Sequence, residues 1–161
     1  MGLQIIHAGV EHLGQLARLF DEYRQFYGKP TDPAGAHEFL RERMLQMQSM
    51  LLLAIDPDAD GEALGFIQLY PGFSSVSMAR VLILNDLFVA HSARRRGVAR
   101  SLLEAAHRHG RQLGALRLQL ETSADNRSAQ ALYESLGWTQ DPNRHYSLPL
   151  DEPDPEMQVF V

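Results

Sequence analysis

Apolar and polar positions along the chain change period several times, and each change marks an element. Residues 3–9, LQIIHAG, read as a first strand. Over residues 10–27 apolar side chains recur at Leu13, Leu16, Ala17, Phe20, Tyr23 and Tyr27, which is helical spacing. GKPTDPAG breaks that pattern. Leu40, Met44 and Met47 then share one face of a second helix, predicted over 36–48. Residues 50–56 form a short apolar run ended by PDADG, a strand and a turn. ALGFIQLYPG and ARVLILNDLFVA predict two more strands, with GFSSVS turning between them. RRRGVARS, residues 94–101, opens a helix with Val98, Leu102, Ala106 and Leu113 on its apolar face and Gly114 at its C-terminal cap. Leu116, Leu118 and Leu120 alternate strictly, so 116–122 reads as a strand with one apolar face. SADNRSAQALYESLGW is a helix with an Asn-type start and a Gly stop, and HYSLPL a last strand. The order β-α-α-β-β-β-α-β-α-β predicts an α/β (α+β) domain built on a single sheet of mixed strand direction.

Composition narrows the class without choosing a function. The chain has 161 residues, 45% hydrophobic and 22% charged, as expected of one soluble domain with a sizeable core. That domain is assigned to residues 1–150, and 151–161 to a tail that is acidic and Pro-rich before ending in MQVFV. Two fates for the apolar end stay open: packing on a neighbouring subunit, or folding back on its own domain. No apolar run approaches the roughly 18 residues a membrane span needs. The N-terminus has no basic stretch of a secretory signal, so cytoplasm is the expected location and no membrane partner is expected. With no cysteine, disulfides, thiolate metal sites and a Cys nucleophile are excluded. A net charge of −5 argues against a nucleic-acid partner.

RRRGVARS is the most unusual stretch. The first turn of a helix leaves four backbone N–H groups without helical partners and carries about half a positive charge. Gly97 and the small Ala99 allow close approach there, so arginines beside the turn suit a pyrophosphate; a solvated basic helix start is the competing reading. A Walker loop is absent, as is G-x-G-x-x-G. Asn85 and Asp86 interrupt the apolar run VLILNDLFVA, and buried polar groups demand partners. His107 and His109 lie two apart, off a common helix face, so no metal site is expected.

R-x-x-G-x-A at Arg94, Gly97 and Ala99 resembles the acyl-CoA signature of the GNAT N-acetyltransferase superfamily, usually Q/R-x-x-G-x-G/A. LNDLFVA precedes it as the family's central strand does. DNRSAQALYESLGW is similar to the family segment N-x-x-A-x-x-L-Y-x-x-x-G-F/W, matching at Asn126, Ala129, Leu132, Tyr133, Gly137 and Trp138. The resemblance spans nearly the whole chain and is tightest over residues 85–138. It implies a largely antiparallel sheet with a splayed parallel pair at its centre, helices on both faces, and transfer of an acetyl group from acetyl-CoA to a primary amine by direct attack in a ternary complex. A non-catalytic acyl-CoA-binding module is the alternative. Family habit implies a homodimer.

The resemblance also implies roles. Arg94 and the backbone N–H groups of Arg96, Gly97, Val98, Ala99, Arg100 and Ser101 would surround the pyrophosphate, with Arg95 exposed or meeting the adenosine phosphate. Backbone of Leu87, Phe88 and Val89 would pair with the pantetheine arm, one N–H polarising the thioester carbonyl. Tyr133 would protonate the leaving thiolate, while Asn126, which starts its helix, and Ala129 would contact the arm. Asp86 or Glu121 would accept the proton of the substrate ammonium, directly or through water. Tyr23 and Tyr27 would line the acceptor site, where aromatic faces suit a cationic amine.

Overall fold

The computed structural model describes residues 2–150, and the expectations for 151–161 lie outside them. The chain forms two compact units, Met1–Ser123 and Ala124–Val161. The first holds a five-stranded sheet whose spatial order follows the sequence: β1 (Gln4–His7), β2 (Met50–Asp56), β3 (Glu62–Ser74), β4 (Ala79–Val89) and β5 (Leu118–Gln119). Neighbours pair antiparallel from β1 to β4, and β5 joins β4 in parallel. The fold class is thus the mixed α/β sheet that the pattern predicts.

Three helices belong to this unit: α1 (Leu13–Phe26), α2 (Pro33–Leu45) and α3 (Val98–Gln112). Leu16 and Phe20 of α1 and Leu40 of α2 pack against Leu51, Leu53, Phe66 and Phe88 of the sheet. The opposite face is covered by α3. A Cβ on Gly65 of β3 would sit 3.3 Å from the Val98 side chain, and one on Gly110 of α3 would sit 3.2 Å from Leu118. With both faces covered, β2 is buried at Leu51, Leu52, Leu53 and Ala54 in succession.

The helix starts follow local chemistry. Residues 10–12, read as helix from spacing, form a separate 3-10 turn before α1. The second helix begins earlier than its apolar pattern, because Asp32 caps it by accepting from the Gly35 N–H at 3.0 Å and Pro33 occupies its first turn. Asp21, buried on α1, holds the connection between the helices. Its carboxylate accepts from Gln25 Nε2 at 3.1 Å, Thr31 Oγ1 at 2.7 Å and the Asp32 N–H at 2.7 Å. Asp21→Ala removes all three and should cost about 2–3 kcal/mol of stability, read as a lower urea midpoint at unchanged m-value.

Three expectations are corrected. The strand read over 116–122 contracts to Leu118–Gln119. It has a ladder partner on its β4 side only, and Leu116 is 50% exposed, so the apolar alternation is largely unused. The strand read over 145–150 does not form among the described residues; its alternating Tyr146, Leu148 and Leu150 are each more than 80% exposed. Leu113, assigned to the apolar face of α3, is 41% exposed, because α3 ends at Gln112 and Gly114 (φ 71°) turns the chain away.

The second unit contains α4 (Arg127–Ser135). Asn126 caps it, its side chain accepting from the Ala129 N–H at 3.3 Å, and Gly137 at φ 92° ends it. No helix among the described residues is long and apolar enough to cross a membrane.

Candidate active site

A bulge in β4 organises the first unit's candidate site. Gln68 opposes Asp86 but Leu69 opposes Leu84, so Asn85 is an extra residue in the ladder. Before the bulge, the even-numbered residues face β5: the Leu82 N–H bonds the Arg117 carbonyl, and the Arg80 carbonyl accepts from Leu116. After it, the phase is reversed. The Ala90 N–H bonds Leu64 of β3, so Phe88 and Asp86 face β3 while Leu87 and Val89 turn their backbone groups the other way. β5 pairs only with Leu82 and Ile83. The edge of β4 at Leu87 and Val89 is therefore left without a strand neighbour in this unit. Phe88 departs from expectation: its backbone faces β3.

The open edge runs into the Arg-rich turn. Arg94 Nε donates to the Val89 carbonyl at 3.2 Å, and its guanidinium lies 5.8 Å from the ring centres of both Phe26 and Phe88. Arg95 is exposed at φ 63°, and Gly97 takes φ 77° at the N-cap of α3. A glycine N-cap has no side chain to satisfy the helix, and a Cβ there would meet nothing within 4 Å. The first turn of α3 thus starts without a side-chain cap, and its Ser101 N–H bonds the Gly97 carbonyl at 3.0 Å. Arg96 instead reaches across to Asp56, at 3.3 Å.

Asp86 lies under this edge and is 5% exposed. Gln68 Nε2 donates to Oδ2 at 2.6 Å and Asn85 Nδ2 to Oδ1 at 3.1 Å. Burial raises its pKa above the ordinary carboxylate value, and the neighbouring Gln68, Tyr23 and Asn85 work against that rise. Burial and then the Asp86 charge push the Tyr23 phenol well above its ordinary range. Burial and Asp86 also raise Tyr70, to about 12, against the lowering effect of Arg43. Both phenols are neutral at physiological pH.

Tyr23 belongs to α1, and its ring meets those of Phe20, Tyr27, Phe66 and Phe88 at centroid distances of 5.1–6.1 Å. Tyr27 ends α1 and is 64% exposed. The structure thus brings Tyr23, Tyr27, Asp86, Leu87, Phe88, Val89 and Arg94 into one neighbourhood. Glu121 is exposed, beyond the end of β5 rather than within a strand. In the second unit, Tyr133 is half-buried on α4 with its ring 6.0 Å from Trp138. Gln68 is the partner that sequence reading missed. The signal was a lone amide within the apolar run ALGFIQLY. His109, outside this neighbourhood, is buried with its ring 5.3 Å from that of His7.

This geometry can be set beside known proteins. Residues 16–138 match the Acetyltransferase (GNAT) family. Over 147 residues the chain is 44% identical to YhfO of Bacillus subtilis, an uncharacterised N-acetyltransferase, covering 91% of this chain and 97% of that protein. A crystal structure described as a probable acetyltransferase superposes with a TM-score of 0.88 at 44% identity, covering 92% of this chain and 99% of the other. The structure of AAC(6')-Iy in complex with the bisubstrate analog CoA-S-monomethyl-acetylneamine superposes with a TM-score of 0.75 at 25% identity, over 92% of this chain and 99% of its own. The signature at the start of α3, the bulged central strand and these end-to-end likenesses agree, and the chain belongs to the acetyltransferase (GNAT) family.

Proposed function

We propose that the protein moves an acetyl group from acetyl-CoA to a primary amine by direct attack in a ternary complex. The observation that carries this reading is the bulge-opened edge of β4, which leads into the uncapped first turn of α3 and runs above a buried carboxylate. At Leu87 and Val89 the β4 edge has no ladder partner on this side, which suits an extended amide-bearing arm, although the Val89 carbonyl is already held by Arg94, and the glycine-capped start of α3 suits phosphate oxygens. Acetyl-CoA, when bound, supplies an activated thioester; the rest is the work of this chain. A backbone N–H of β4 polarises the acyl carbonyl. Asp86, which we favour over Glu121, takes the proton that the attacking amine must lose. Tyr133 donates its phenolic proton to the departing sulfur, a role that rests on the motif around it. Aromatic rings at Tyr23 and Tyr27 suit a cationic acceptor. The amine carried by the CoA conjugate in AAC(6')-Iy supports an amine acceptor here as well. By family habit the protein acts as a cytoplasmic homodimer.

Acetyl-CoA at a hundredfold excess over Kd should stabilise the fold by about 2.7 kcal/mol, a rise in Tm of about 5–10 °C. Arg94→Ala should shrink that rise. Thiol release with spermidine, neamine, free amino acids and a lysine peptide then tests turnover. An unchanged Tm would defeat the reading, and a shift without turnover on any amine would reduce the protein to an acyl-CoA-binding module.

A further inference from the structure

Asp86 can serve as a base only if one of its oxygens opens to the substrate. Both are engaged: Gln68 Nε2 donates to Oδ2 at 2.6 Å, and Asn85 Nδ2 donates to Oδ1 at 3.1 Å. The two donors differ in what it costs to move them. Gln68 is fully buried, and its Oε1 finds no hydrogen-bond partner among the described residues. Turning its amide away from Asp86 would leave both ends of a buried amide unsatisfied, which carries the full desolvation penalty of each. Asn85 is exposed, so an amide that leaves Oδ1 exchanges its bond for bonds to water at little cost. Its bond to Asp86 is also the longer of the two.

The bulge explains why the second donor is there. Consecutive residues of a regular strand point to opposite faces, which would part the side chains of Asn85 and Asp86. Asn85 is the extra residue of β4, unmatched in the ladder with β3, and its amide reaches the carboxylate of its neighbour. Asp86 thus has one partner that is adjacent, exposed and replaceable, and another that comes from β3, buried and fixed.

We propose that Gln68 and Asn85 divide the work on Asp86: Gln68 is a positioning residue that holds Oδ2, and Asn85 covers Oδ1 until the substrate ammonium displaces it. The ammonium then donates to Oδ1 in place of the Asn85 amide. Proton transfer breaks that N–H bond and forms an O–H bond at Oδ1, and the electron pair stays on the amine nitrogen, free for attack. Gln68 remains on Oδ2 throughout. As a donor it favours the ionised carboxylate, so it keeps Asp86 ready to accept. The titratable side chains that feel the Asp86 charge from the packed elements are Tyr23 of α1 and Tyr70 of β3, both neutral, and Arg43 of α2 acts on Tyr70.

This inference rests on Asp86 being the base of the proposed transfer, and the test separates the two. kcat and KM are measured against pH, with whichever amine of the panel wild type acetylates, for wild type, Asn85→Ala, Gln68→Met, Asp86→Asn and the double variants with Asp86→Asn. Asn85→Ala should lower the amine KM about threefold to tenfold, because the substrate no longer has to displace a bonded amide. Gln68→Met is close in volume but has no donor. It should move the acid limb of kcat/KM up by about one pH unit, a loss of about tenfold on that limb. The same displacement should appear without substrate, as a rise in the Asp86 carboxyl titration followed by NMR in the free protein, which a packing defect alone would not give. In the Asp86→Asn background neither second substitution should have a further effect. An amine KM that is unchanged or raised in Asn85→Ala overturns the displacement, and an unmoved titration in Gln68→Met overturns the role of Gln68. Asn85→Ala, at an exposed position, carries the test where Gln68→Met does not fold. A wild-type rate and profile in Asp86→Asn removes the base assignment itself.

Discussion

Replacing Tyr133 with phenylalanine should lower kcat by about a hundredfold or more and leave acetyl-CoA affinity nearly unchanged. The leaving group of the proposed reaction is a thiolate, and the hydroxyl of Tyr133 is proposed to meet it with a proton. That interaction strengthens only as charge develops on sulfur, so its loss appears in turnover and not in binding. Phenylalanine keeps the aromatic ring and with it the contact to Trp138, 6.0 Å away, so α4 and its Gly137 stop should be undisturbed. Steady-state kinetics beside calorimetric binding of acetyl-CoA separate the two quantities. Wild-type turnover would place the acid elsewhere, or let water protonate the sulfur, and Tyr133 would then be a packing residue of the second unit.

Asp86→Asn should lower kcat/KM by about the same hundredfold near neutrality, with partial recovery at high pH, where the amine arrives already neutral. Its stability should change in a characteristic way. Burial holds the Asp86 pKa above its unfolded value, so the native state binds its proton the more tightly. The stability this contributes is complete below the unfolded pKa and is lost as pH rises through the folded one. Asparagine has no such dependence. The difference in Tm between variant and wild type should therefore move in favour of the variant from acid pH upward, even while activity is lost. A loss of activity in Glu121→Gln with Asp86→Asn unaffected would transfer the role of base to Glu121.

Most of the elements were legible because their causes are local. Apolar spacing over residues 13–27 marks a helix face, Asn126 and Gly137 mark the two ends of α4, and the unbroken apolar run of 50–56 marks β2. The start of α3 was legible for the same reason, since Gly97 and the residues after it determine a helix start among themselves. Where a partner was needed, local pattern misled. The alternation at 116–122 and 145–150 promises strands, but a strand forms only where a second backbone offers a ladder, and those segments find little or none. The contents of the site were decided at the same level. Asp86 stood out in the sequence as a carboxylate in an apolar run, but its bond to Gln68 from β3 and its neighbour Tyr23 from α1 bring in residues 18 and 63 positions away. No periodicity reports such a meeting. The bulge at Asn85 belongs to the same class. One extra residue reverses which backbone groups of β4 face outward, and only the register against β3 reveals it. Local chemistry determined the helix starts and the strand candidates, while pairing across the sheet decided which edge stays open and which side chain the buried carboxylate can reach.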